Sequence, residues 1–192
     1  MKILLFIAKG VEILEAAAFI DVFGWNNSYT DTTTEIVTCG FNPTINSTFN
    51  VPINLDKSIQ KIDINDYAAL AIPGGFEKFG FYEDAFHDDA LALIRKFFEA
   101  DKPIASICVG ALAIAKSGVL TGKEATTYNQ MNGTRQQQLQ QLGAILEDKP
   151  VVEASNIITS RGPSTALDVA FRLLEKLTSR QNARAVKQLM GY

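Results

Sequence analysis

The stretch Pro103-Ile104-Ala105-Ser106-Ile107-Cys108-Val109-Gly110-Ala111-Leu112-Ala113-Ile114-Ala115-Lys116 decides the fold. It opens as a short continuous apolar run, the signature of a strand covered on both faces, and then takes up the composition of a helix. Between the two lies Cys108, with Ser106 two positions before it and Gly110 two after. A nucleophile carried on a sharp strand-to-helix elbow needs small residues at both of those places, because the backbone folds back on itself and larger side chains would collide. A sulfur at the start of a helix also meets unpaired N–H groups and the positive end of the helix dipole, which favour thiolate. The alternative is an inert buried cysteine, since free cysteine is among the most buried residue types.

Outward from this unit the same alternation repeats. The sequence predicts strands over Lys2–Ala8, Thr34–Cys39, Ala68–Ile72, Pro103–Ile107, Glu124–Thr127 and Asn156–Thr159. It predicts helices over Ile13–Asn26, Asp88–Ala100, Val109–Ser117, Asn132–Leu142, Ser164–Leu177 and Arg180–Met190. Ile3–Ala8, Ala68–Ile72 and Ile104–Ile107 are unbroken apolar runs and so belong at the centre of a sheet with helices on both sides. In the second helix Leu91, Ile94, Phe97 and Phe98 recur at helical spacing and give one face to pack on that sheet. Glu147–Ser155, with Pro150 between two β-like runs, reads as a small hairpin. Strands alternating with helices make this an α/β protein with a mostly parallel sheet. No linker or repeat divides the chain, so residues 1–192 are expected to form one domain.

Composition removes several function classes. A chain of 192 residues, 47% hydrophobic and 20% charged, can bury about 70% of its unfolded surface and needs no disulfide or metal staple. A net charge of −3 offers no cationic field for a phosphate backbone, which argues against nucleic acid. One histidine, His87, and two distant cysteines, Cys39 and Cys108, make neither a zinc site nor a CxxC pair, so no metal is expected. Neither G-x-G-x-x-G nor a P-loop is present, and no cofactor is expected. The N-terminal apolar run is too short for a signal peptide and no stretch reaches a membrane span, so the expected location is the cytoplasm, with no membrane contact. His87 sits in the acidic loop Glu83–Asp89 and reads as a solvated or helix-starting residue, and Cys39 as a structural cysteine closing a strand.

Two further elements bear on the elbow. Ile72-Pro73-Gly74-Gly75 ends a buried strand with two glycines, which free the backbone to turn its N–H groups to the carboxyl edge of the sheet, where open α/β sheets bind ligands. The Gly75 and Val109 N–H groups are then candidates for an oxyanion hole facing Cys108. Glu15 lies on the first helix among Ala, Ile, Leu and Phe neighbours. An apolar setting raises a carboxyl pKa and leaves it able to donate a hydrogen bond or relay a proton.

In order and spacing these segments resemble the ThiJ/PfpI family, which includes the Parkinson's-disease-associated deglycase and lies within the class I glutamine-amidotransferase-like superfamily. The resemblance covers nearly the whole chain. It is carried by Ile7-Ala8-Lys9-Gly10 with Glu15, Asp21-Val22-Phe23, Ile72–Gly75, Ala105–Gly110, Thr126-Thr127 and Thr159–Thr165. It implies a flavodoxin-like three-layer sandwich with a nucleophile-elbow cysteine, a reactive and oxidisable Cys108, Glu15 as its protonated partner, and backbone donors at Gly75 and Val109. It also implies a homodimer, and a pocket lined by Gly74, Tyr128 and the turn carrying Arg161, a candidate anion contact.

Two departures narrow the activity. Peptidase-like members carry histidine after the cysteine, where this chain has Val109, which disfavours proteolysis. The deglycase branch carries histidine after the paired threonines, where this chain has Tyr128, whose phenol does not titrate near neutrality. Proton transfer then falls to Glu15. Two functions fit: a glyoxalase-, deglycase- or hydratase-like enzyme acting on a small-molecule electrophile such as a reactive carbonyl, or a non-catalytic cysteine-oxidation sensor of the stress response.

Overall fold

The apolar runs become strands and the amphipathic segments become helices over residues 1–192 of the computed structural model. In chain order the elements are β1 (Lys2–Phe6), α1 (Ile13–Tyr29), β2 (Glu35–Gly40), β3 (Thr44–Asn46), β4 (Pro52–Asn54), β5 (Lys57–Ser58), β6 (Ala69–Ile72), α2 (Phe81–Ala85), α3 (Asp88–Glu99), β7 (Ile104–Ser106), α4 (Gly110–Lys116), β8 (Glu124–Ala125), α5 (Thr134–Gln141), β9 (Ile145–Leu146), β10 (Val151–Ala154), β11 (Ile157–Ser160), α6 (Ala166–Leu177) and α7 (Arg180–Leu189). Seven strands form the main sheet in the order β10-β11-β7-β6-β1-β2-β5, parallel throughout except for the edge pair β10–β11. The three unbroken runs supply its central strands, β7-β6-β1, and every residue of these strands except Lys2 is buried.

The strand order reverses beside β1. From β1 the chain steps one way to β2 and β5, and from β6 it steps the other way to β7 and β11. Right-handed crossovers taken in opposite directions put their helices on opposite faces. Accordingly α1, α6 and α7 pack on one another over one face, and α3, α4 and α5 over the other, which makes three layers. Phe19 and Phe23 of α1, Phe81 of α2 and Phe97 of α3 are fully buried in one continuous apolar cluster, each contributing about 1.5–3 kcal/mol of transfer free energy. The reversal also opens a crevice at the carboxyl ends of β1 and β6, the place where open α/β sheets hold ligands.

Two details depart from the sequence reading. The hairpin does not lie within Glu147–Ser155: Val151–Ala154 pairs antiparallel with Ile157–Ser160 around a turn at Ser155, whose φ is +54°. Pro150 lacks an N–H and ends the preceding run. The predicted strand Glu124–Thr127 stays outside the main sheet. Its first two residues pair in parallel with Ile145–Leu146.

Candidate active site at the cysteine elbow

Three loops from the carboxyl edge of the sheet meet at Cys108. After β1 the chain enters α1, which carries Glu15. After β6 come Gly74 and Gly75, and after β7 comes the elbow. Cys108 has φ +56°, a left-handed conformation that side-chain-bearing residues rarely adopt and that costs of order 1–3 kcal/mol. The surroundings hold it there. Its N–H donates to the Ser160 carbonyl at 2.9 Å, and its carbonyl accepts from Thr127 Oγ1 at 2.8 Å. Gly110 is glycine because the elbow runs against β6: a Cβ there would sit 2.5 Å from the Ile72 carbonyl oxygen. A Cβ on Gly75 would sit 2.3 Å from the Gly10 carbonyl oxygen.

Glu15 is fully buried, and its Oε2 accepts the Gly74 N–H at 2.6 Å. Its carboxyl faces the thiol across Gly74, where a Cβ would lie 3.0 Å from both Glu15 Oε2 and the Cys108 Cβ. Burial pushes the Glu15 pKa up to about 8, against the Gly74 hydrogen bond, so the carboxyl holds a proton at neutral pH. The thiol departs from the expectation of a lowered pKa. Burial first and the charge of Glu15 second push it up, and the Val109 N–H pulls it back. Two acids in contact oppose each other's ionisation, so loss of one proton leaves the other shared between sulfur and carboxyl. The Gly75 N–H donates to no protein acceptor, and the Val109 N–H is directed at the Cys108 sulfur. Both stand on the wall of the same cavity as the sulfur.

That cavity encloses about 190 Å³. Besides Cys108, Glu15, Gly75 and Val109, its wall includes Tyr128 and Pro163, together with Phe76 and Met131 from the two loops flanking the elbow. Gly74 lies behind the wall, where its N–H orients Glu15. Arg161 does not reach the cavity. It lines a neighbouring cleft and pairs with Asp148 beside Pro150, because β11 ends one residue earlier and the turn points its side chain away. The cation on the wall is Arg135, at the start of the glutamine-rich α5, with Glu12 and Glu77 as further carboxylates. Nothing in Arg135-Gln-Gln-Gln marks that role. Glu12 carried a signal, since it precedes Glu15 by one helical turn. His87 starts α3, its Nδ1 accepting the Asp89 N–H at 3.2 Å, and Cys39 is buried at the end of β2.

Residues 1–176 match the model of the DJ-1/PfpI family. The chain belongs to the DJ-1/PfpI family. It is 32% identical over 143 residues to protein DJ-1alpha of Drosophila melanogaster, covering 73% of this chain and 63% of that protein. It is also 32% identical over 111 residues to a protein of Thermococcus kodakarensis named a deglycase, covering 58% and 63%. The chain thus spans less than two thirds of the length of these curated relatives. The crystal structure of Drosophila melanogaster DJ-1beta superposes with a TM-score of 0.85 at 26% identity, over 98% of this chain and 96% of that one. The chain therefore shares the α/β fold of the DJ-1 structures, with its mostly parallel central sheet between helical layers. No helix is long and apolar enough to cross a membrane.

Proposed function

We propose that this DJ-1/PfpI protein is a cysteine-dependent enzyme acting on small reactive carbonyls. The observation that carries the reading is the juxtaposition, in one small cavity, of the Cys108 thiol, a buried carboxyl that holds a proton, and the backbone N–H groups of Gly75 and Val109. With one proton shared by the pair, the thiolate adds to the aldehyde carbon of a 2-oxoaldehyde. The C–S bond forms as the carbonyl π pair moves to oxygen, where the Gly75 and Val109 N–H groups hold it and Glu15 delivers its proton. The Glu15 carboxylate then takes the hydrogen on that carbon as a proton, giving an enediolate, and returns it to the neighbouring carbon as the hydroxyl proton passes to that carbon's own oxygen; the resulting 2-hydroxy thioester is hydrolysed by water with the Cys108 thiolate as leaving group. A relative named a deglycase supports carbonyl chemistry. Methylglyoxal turnover tests it: Cys108→Ser abolishes the activity and Glu15→Gln lowers kcat about 100-fold or more. Wild-type turnover no faster than the serine variant refutes the reading.

A second reading, a cysteine-oxidation sensor, is favoured by Glu15 Oε1, which is buried without a partner and is suited to hydrogen-bond a sulfinate on Cys108. Mild peroxide should then add two oxygens to Cys108 and none to Cys39 by mass spectrometry. Equal oxidation of both removes the motive. A homodimer is part of the same proposal, supported by Leu14, Ile20, Trp25 and Tyr29, which leave large apolar groups exposed along α1.

A further inference from the structure

The cavity wall carries more negative charge than positive. Arg135 is its one cation, and its charge is already engaged: one Nη donates to Glu77 at 2.7 Å, the other to Gln138 at 2.8 Å. The Tyr82 ring lies 5.2 Å from the guanidinium and keeps it in place. Glu12 has no counterpart. It stands on the same wall, at the start of α1 and one turn before Glu15, and no lysine, arginine or histidine pairs with it. Beside it Glu15 Oε1 is fully buried without a hydrogen-bond partner. An anion entering this space meets the Glu12 charge with no free cation to offset it, an uncharged carbonyl meets no such cost, and a cation gains.

We propose that Glu12 is a specificity-determining residue of this pocket, admitting uncharged and cationic carbonyl electrophiles and rejecting anionic ones such as 2-oxo acids. The proposal rests on the reading of Cys108 as the pocket nucleophile, and its test separates the two. Iodoacetamide and iodoacetate both alkylate a thiolate by displacing iodide, and they differ in charge. The ratio of their rates at Cys108, followed by intact mass with peptide localisation at pH 7.0, therefore cancels any change in thiolate fraction and reads the pocket's charge preference alone. Glu12→Gln should lower the neutral-to-anionic ratio about five- to tenfold, the effect of one charge removed at short range. Glu12→Asp, which keeps the charge, should keep the ratio, and Arg135→Gln, which frees Glu77, should raise it. An unchanged ratio in Glu12→Gln overturns the proposal and leaves the nucleophile standing. Alkylation of Cys108 only after unfolding overturns both.

Discussion

Glu15 is the residue whose protonation ties stability to chemistry. Its folded pKa of about 8 lies above the ordinary value of 4.5, so the folded chain binds this proton more tightly than the unfolded one. The stabilisation is complete below about pH 4.5 and is lost as pH rises through about 8, at up to about 1.4 kcal/mol per pH unit. Glutamine keeps the acceptor for the Gly74 N–H and does not titrate. Urea unfolding from pH 5 to pH 9 should therefore show Glu15→Gln gaining on the wild type as pH rises, with the gap widest above pH 8. A pH-independent gap would mean that the carboxyl is not held neutral by burial. Arg161 and Arg135 show where residue-level reading stops. Both are arginines in polar stretches, and only the course of the backbone turns one toward Asp148 and brings the other to the cavity wall.

At the scale of elements, the order of the sheet predicts an order of opening. β7, β6 and β1 are flanked by strands on both sides and covered by helices on both faces, whereas β5 and β10 each have one neighbour. Native-state hydrogen exchange should leave the amides of Leu4, Leu70 and Ala105 protected longest and those of β5 and β10 least; early exchange in β6 would contradict this layering. These central strands were legible in the sequence because a strand buried on both faces cannot alternate, and a run such as Ile3–Ala8 has no other good home. The helix α3 was legible for the complementary reason, the recurrence of Leu91, Ile94 and Phe97 at a 3.6-residue period. The Glu147–Ser155 hairpin was not, because the partner of Val151–Ala154 is chosen across a turn at Ser155 whose positive φ no residue type announces. The elbow was legible as a steric pattern, Ser106 and Gly110 about Cys108. The places of Glu77 and Arg135 on the pocket wall were not, since the wall is assembled from segments about 20 to 60 residues apart in sequence.

For the whole molecule, the exposed apolar face of α1 sets the expectation of a dimer. Sedimentation should give twice the 21.0 kDa of one chain, and Leu14→Glu with Trp25→Glu should shift it toward one copy; an undissociated wild-type monomer at high concentration removes the proposal. The same helix is tied at its far end to distant chain. Asn26, fully buried, donates to the Thr32 carbonyl at 2.6 Å and to Thr34 Oγ1 at 2.9 Å, and accepts from Asn182 Nδ2 at 2.6 Å. Asn182 belongs to α7, 156 positions later. During synthesis, then, the helix that carries Glu15 leaves the ribosome early with Asn26 bonded only to its near neighbours Thr30, Thr32 and Thr34, and it gains its last partner and its covered flank when α7 follows. A nascent chain interrupted before that point holds the elbow, the carboxyl and both backbone donors, yet lacks the last helix that buttresses α1.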